Sequence, residues 1–251
     1  MDMLTPPSGA ARNRDRERPL AATLARLAHG LVASCQPVRG GVFDTPEMVA
    51  LFARAALAGG CAGLRVEGLA DLAAVYQARQ ALASDVPIIG LVKRNDSGTD
   101  VFITPQLSDV SDLVAAGADI VAFDATSRPR PASVVSMIRT IHGSGALAMA
   151  DVSTVAEGAA AHAAGADLVA STLSGYVPGS PDLPGPDLAL VAALAASGVY
   201  VVAEGRIGTS EQAAEARRSG AFAVTIGTAF SRPEWIVRAF VDAVAAVDAG
   251  P

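Results

Sequence analysis

Residues Val199 to Gly208 read Val-Tyr-Val-Val-Ala-Glu-Gly-Arg-Ile-Gly, and this stretch decides the architecture. Val199 to Ala203 is a short apolar, β-forming run suited to a strand buried on both faces. Glu204 follows at once. An ionised side chain is costly inside such a strand, so the acid marks its end, where a loop can solvate it or use it. Gly205-Arg206 turns the chain. Thr209-Ser210-Glu211-Gln212 then has the form of a capping box, with Thr209 as N-cap and Gln212 at N3, and starts a helix. Strand, acid, glycine turn and helix make one unit of a parallel α/β protein, whose sites lie at the carboxyl ends of its strands. On this stretch alone, Glu204 reads equally well as a simple ion-pair partner of Arg206.

Working outward, the unit occurs eight times. Strands are expected at residues 31–36, 61–66, 87–93, 119–124, 146–151, 167–172, 199–204 and 222–227. Thr45-Pro46-Glu47 starts a helix with proline in its first position, and Thr154 to Glu157 is a second capping box. Pro87 stands only at the head of its strand, where the ladder tolerates it. Ala-Gly-Ala-Asp-Ile-Val-Ala at Ala116 to Ala122 returns as Ala-Gly-Ala-Asp-Leu-Val-Ala at Ala164 to Ala170. Gly220 to Val224 and Gly59 to Gly63 repeat the pattern more loosely, each glycine closing a helix and feeding an even-numbered strand. A two-unit period suits a closed barrel, whose interior layers come from alternate strands. An open doubly wound sheet would place a glycine-rich fingerprint after the first strand, and Ser34-Cys35-Gln36-Pro37 has none. The expected fold class is therefore α/β, a single (β/α)8 TIM barrel over residues 19–251. A helix near residues 20–27 would close its bottom, and a last helix would run from Pro233 to about Val247. Residues 1–18, rich in proline and arginine without apolar periodicity, read as a disordered extension.

Composition excludes several classes. The 251 residues match the roughly 250 of such a barrel, and a chain 51% hydrophobic with few aromatics has a core of small aliphatic side chains. A net charge of −6, with no basic run beyond Arg12 to Arg18, argues against nucleic acid. Asp2, Asp15 and Glu17 argue against a mitochondrial leader. The longest apolar run, Leu188 to Ala203, is short for a membrane span and is broken by Ser197-Gly198, so no membrane partner is expected. Cys35 and Cys61, expected at opposite ends of the barrel, read as buried free thiols of a cytoplasmic protein. His29, His142 and His162 lie far apart with no ligand spacing, so no metal is expected.

Polar residues gather at the expected strand ends: Gln36, Arg65, Lys93, Asp124, Asp151, Thr172, Glu204 and the pair Gly227-Thr228. Any one is an ordinary solvated strand end. Eight around one face are more than core packing explains. Ile89, Leu91 and Lys93 share a strand face, which sets the lysine at the rim of an apolar interior. A poorly solvated amine there serves as a base or a nucleophile, or else pairs structurally with Asp124 or Asp151. The loops after strands seven and eight commonly hold phosphate in such barrels. Gly205-Arg206 and Gly227-Thr228-Ala229 supply close-approaching backbone there, with the charge of Arg232 just beyond.

Several motifs in order carry a family resemblance: Ser34-Cys35-Gln36, Gly63-Leu64-Arg65, Ile88 to Arg94, Ile103-Thr104-Pro105, Phe123 to Thr126 with Arg128-Pro129-Arg130-Pro131, Met149 to Thr154, Ser171 to Tyr176, Ala203 to Arg206, and Ile226 to Ala229 with Arg232-Pro233. Together they resemble the N-acylglucosamine-6-phosphate 2-epimerase family, the N-acetylmannosamine-6-phosphate epimerases of sialic acid catabolism, over about Leu31 to Val247. The resemblance implies a (β/α)8 barrel without a cofactor and makes Lys93 and Glu204 the acid/base pair. It implies that Gln36, Arg65, Asp151 and Arg232 contact sugar and phosphate. Asp124 and Thr172 join them as substrate-binding candidates by their strand-end positions. The sequence departs from the family pattern in its arginine-rich head and in the Pro/Gly-rich stretch Val177 to Pro186, which lacks the threonine expected soon after Tyr176.

The chemistry fits these residues. Inverting a carbon beside a carbonyl requires a base on one face and an acid on the other, and strands three and seven lie roughly opposite in an eight-stranded barrel. Arg65 is the candidate neighbour for the enolate, and a phosphate anchor would hold C2 between the two groups. Two rival readings stay open: a Schiff-base aldolase using Lys93, and a non-catalytic phosphosugar-binding barrel. The sequence allows a homodimer without specifying an oligomeric state.

Overall fold

The structure is a computed structural model that describes residues 20–95 and 98–248; the expected extension, residues 1–18, lies outside them. Eight parallel strands, β1 (Leu31–Cys35), β2 (Gly63–Glu67), β3 (Ile88–Leu91), β4 (Ile120–Asp124), β5 (Leu147–Asp151), β6 (Leu168–Ala170), β7 (Val201–Ala203) and β8 (Ala223–Ile226), close into a barrel in sequence order. The register that joins β8 to β1 pairs Val32 with Thr225. Closure of a sheet abolishes its edges, and this barrel is the expected (β/α)8 fold.

Helices alternate with the strands: α1 (residues 20–27), α2 (Pro46–Ala58), α3 (Leu69–Ala81), α4 (Leu107–Ala115), α5 (Val134–Gly143), α6 (Val155–Ala163), α7 (Leu188–Ala196), α8 (Ser210–Arg218), the single turn α9 (Thr228–Ser231) and α10 (Pro233–Asp248). Their starts follow from local chemistry. Thr45 accepts the Met48 N–H with Pro46 in the first turn, and Thr154 and Glu157 cap each other reciprocally. Thr209 accepts from Gln212 N–H as expected, but the Gln212 carboxamide reaches back one residue further, to Gly208 N–H at 2.8 Å. The box is thus opened by one residue. Among the described residues, no helix is long and apolar enough to cross a membrane.

Two apolar clusters result from the two-residue alternation of each strand. The inward set includes Val32, Ile89, Leu91, Ile120, Ala122, Leu147, Met149, Leu168, Ala170, Val202 and Ala223, and Leu27 of α1 plugs it from below. The outward set, among them Ala33, Leu64, Val66, Val121, Ala148 and Val201, packs against the helices. Continuing each inward series two residues toward the carboxyl end reaches the mouth of the barrel. Five of the strands end one or two residues sooner than expected there, β4 and β5 end as expected, and β2 runs one residue further. β3 stops at Leu91, and Lys93 stands past it in an isolated antiparallel bridge with Ile103, because the following segment folds back on itself.

Candidate active site

The inward alternation places Gln36 above Ser34 and Val32, Arg65 and Glu67 above Gly63, and Lys93 above Leu91. It likewise sets Asp124 above Ala122, Asp151 above Met149, Thr172 above Ala170, and Glu204 above Val202. The sequence-predicted strand-end residues therefore share one face. They do not form one network but several, and this division determines what each side chain can do.

The first network spans the barrel. Arg65, 1% exposed, reaches from β2 to the far wall, where it forms a two-pronged contact with Asp151: Nη1–Oδ1 3.1 Å and Nη2–Oδ2 2.6 Å. Its Nη1 also lies 2.8 Å from Glu204 Oε2. Thr172 Oγ1 donates to Asp151 Oδ1 at 2.9 Å. Burial alone would lower the Arg65 pKa, but Asp151 and then Glu204 outweigh it, so the guanidinium is held charged. Burial pushes the Glu204 pKa up. Arg65 opposes that shift, Asp151 adds to it, and Lys93 and Thr172 oppose it; the net direction is upward. Although Glu204 Oε2 lies near the guanidinium, it is not aligned for a hydrogen bond. Glu204 is thus a carboxyl group inclined to keep its proton, with 14% of its side chain open to the mouth.

The backbone fixes that acid. Ser171 Oγ, at the end of β6, accepts the Glu204 N–H at 3.0 Å and donates to the Glu204 carbonyl oxygen at 2.9 Å. The chain then turns through Gly205 at φ +113°, a region an L side chain rarely enters. Arg206, at φ 55°, sends its guanidinium outward. It donates to Gly185 O and Ser174 O, each at 2.7 Å, and sits 5.2 Å over the Tyr176 ring. A side chain at Gly175 would collide with this guanidinium. Arg206 therefore pins both ends of the Pro/Gly-rich stretch, and the backbone is what the Gly205-Arg206 corner has left to offer an anion.

The second network lies on the opposite wall. Lys93, 27% exposed, donates from Nζ to Glu67 Oε2 at 2.7 Å and Gln36 Oε1 at 2.9 Å. Its ion-pair partner is neither Asp124 nor Asp151. Gln36 is itself oriented, since its Nε2 donates to Ser34 Oγ at 3.0 Å. Glu67 escaped the sequence reading. Its signal was the alternation Gly63, Arg65, Glu67 on one strand, visible once β2 is known to run one residue further than expected.

Asp124 belongs to a third group. Its carboxylate, with no side-chain exposure, is held by Arg128, Arg130 and the Thr126 hydroxyl, the last at 2.7 Å. All three partners come from its own loop, so Asp124 shapes that loop in this arrangement. At the eighth strand, Gly227 leads into α9, and Ser231 and Arg232 tie the end of this turn to β1. Ser231 Oγ accepts from Gln36 N at 3.2 Å, and Arg232 Nε donates to Gln36 O at 3.0 Å. Burial pushes the Cys35 thiol up to about 12, so it holds its proton at neutral pH. His142 pairs with Asp167 at 2.8 Å, at the amino end of β6 and so away from the mouth.

The chain is similar to known proteins over most of its length. A family model described as N-acetylmannosamine-6-phosphate epimerase matches residues 49–246. An N-acetylmannosamine-6-phosphate 2-epimerase of Yersinia pestis is 48% identical over 219 residues, covering 87% of this chain and 91% of the relative. The solved N-acetylmannosamine-6-phosphate 2-epimerase of Clostridium perfringens superposes with a TM-score of 0.83 at 34% identity, over 87% of this chain and 95% of that one. A deoxyribose phosphate aldolase of Aeropyrum pernix, at 18% identity and a TM-score of 0.61, shares the fold alone.

Proposed function

This chain belongs to the N-acetylmannosamine-6-phosphate epimerase family, and from that premise we propose that Lys93 and Glu204 are the groups that move the C2 proton. The enzyme interconverts N-acetylmannosamine 6-phosphate and N-acetylglucosamine 6-phosphate by inversion at C2. In the open-chain sugar, C2 lies beside the C1 carbonyl. When its C–H bond breaks, the proton goes to one group and the electron pair moves onto the carbonyl oxygen. A proton returned to the opposite face completes the inversion. The observation that supports the pairing is topological: β3 and β7 stand four strands apart in a ring of eight, so their ends face each other across the mouth.

In one direction the Lys93 amine accepts the proton and Glu204, whose pKa burial raises, delivers one. In the other direction the roles exchange. Arg65, buried and itself fixed by Asp151, lies against Glu204, and Thr172 and Gln36 stand with them at the mouth. The backbone at Gly205-Arg206 and Gly227-Thr228, with Arg232, is the proposed phosphate cradle. The free, buried thiols Cys35 and Cys61 support a reducing compartment, the cytoplasm. The exposed apolar stripe of α10 supports a homodimer, since isolated monomers rarely present such a patch to water.

Proton NMR of both epimers in deuterated water tests the pairing. Glu204→Gln should exchange the C2 hydrogen of the epimer that presents it to Lys93, with no inversion. Lys93→Met should leave that epimer unexchanged while the other still exchanges through Glu204. A Glu204→Gln variant that epimerises at nearly the wild-type rate would instead make Lys93 the sole base.

A further inference from the structure

The ion pair between Lys93 and Glu67 takes no part in the proton transfers above, yet it governs where the base stands. We propose that Glu67 is the positioning residue of Lys93: its carboxylate holds the amine on the β1–β2 side of the mouth and keeps it from pairing with the acids opposite. This rests on the reading of Lys93 as the base.

Lys93 needs such a hold. It lies beyond the last ladder residue of β3, and its side chain is a flexible four-carbon stem. Across the mouth stand Asp151 and Glu204, and the field of Lys93 already acts on Glu204. An untethered ammonium in a poorly solvated barrel would be drawn to those acids and would close the gap that the substrate carbon must occupy. Two separate ion pairs prevent this. Arg65 compensates Asp151 and Glu204 from beneath, while Glu67 compensates Lys93 from the side at 2.7 Å.

One strand supplies both counter-ions. Arg65 and Glu67 are two residues apart on the inward face of β2, so the alternation that sends the guanidinium under the far wall sends the carboxylate to the near one. Glu67 is fixed in turn. Arg39, from the loop after β1, binds its Oε1, which leaves Oε2 for Lys93. Gln36 gives Nζ a second acceptor at 2.9 Å. The amine is therefore held from two adjacent strands, and its remaining directions open to the mouth.

The test compares Glu67→Ala and Glu67→Gln in the full chain, measuring kcat, KM and C2 exchange of each epimer in deuterated water, with Lys93→Met alongside. Displacing the amine should lower kcat on the order of 10–100-fold in Glu67→Ala. KM should stay within about threefold, because the phosphate anchor is untouched. Glu67→Gln, whose amide oxygen can still accept from Nζ, should recover most of the loss. Exchange should fall only for the epimer whose C2 hydrogen faces Lys93. An equal fall for both epimers, or a Glu67→Ala kcat within about twofold of wild type, overturns the positioning role. A Lys93→Met variant that still epimerises removes the base assignment itself. An inactive Lys93→Met beside a fully active Glu67→Ala removes only the inference about Glu67.

Discussion

Burial, more than any partner, acts on Glu204, the acid of the proposed pair. Desolvation raises its pKa, and the nearby Arg65 guanidinium moderates that rise without cancelling it. A proton donor requires such a balance: a fully paired carboxylate would stay ionised, and an isolated one would never act as the base of the reverse reaction. Arg232 shows the complementary case, a charge kept near the rim, with its Nε anchored on Gln36 O. If its guanidinium carries the phosphate, Arg232→Ala should weaken binding of the 6-phosphate by about 1.5–3 kcal/mol, a roughly tenfold to hundredfold rise in KM. Titration with N-acetylmannosamine lacking the phosphate is the control, and its affinity should not change. An unchanged KM for the phosphorylated sugar would move the phosphate site elsewhere.

At the scale of elements, α3 carries an unfavourable charge that the barrel mouth imposes on it. Asp71, in its first turn, would normally gain from the helix dipole. Burial, then Asp44, Glu67 and Glu47, instead push its carboxyl from 3.8 up to about 6. A carboxyl whose folded pKa is raised contributes stability below its unfolded pKa and loses it as pH climbs through the folded one. Asp71→Asn should therefore raise the melting temperature above about pH 6, with the gain fading as pH falls toward 3.8. Melting curves from pH 4 to 8 check this, and a gain independent of pH would assign the effect to packing. The stretch between β6 and α7 illustrates the opposite arrangement. Its composition promises little regular structure, yet Arg206 pins Ser174 and Gly185 at its ends. Asp187 both caps α7 and accepts from Ser174 Oγ at 2.6 Å.

For the molecule as a whole, closure is what makes a site. It sets β3 opposite β7 and lets one arginine on β2 serve two acids on the far wall. The last helix is the exception to this economy. α10 packs mainly on α9 and shows Val237, Phe240, Val241 and Val244 to solvent, Phe240 at 70% and Val244 at 71% exposure. These positions recur at helical spacing and form one stripe, which a second copy of the chain could cover symmetrically. Light scattering should then give twice the 25.2 kDa chain mass. Phe240→Asp with Val244→Asp should return the mass to a single chain. A wild-type protein that is monomeric at micromolar concentration would contradict the dimer.

The sequence by itself determined most of what depends on short-range periodicity. The eight strand–helix units, the threonine starts of α2, α6 and α8, and the inward parity that brings Gln36, Lys93, Asp151, Thr172 and Glu204 to one face are all written in residues a few positions apart. Backbone sterics and the burial of apolar side chains act at that range, so they are legible along the chain. Only the tertiary structure decided the pairing of charges. Arg65 meets Asp151 across 86 residues of sequence, Lys93 pairs with Glu67 and not with Asp124 or Asp151, and Arg128 and Arg130 occupy Asp124. Arg206 turns to the loop between β6 and α7. An ion pair depends on which opposite charge is nearest and how much water remains between them. Both quantities come into existence only when the barrel closes.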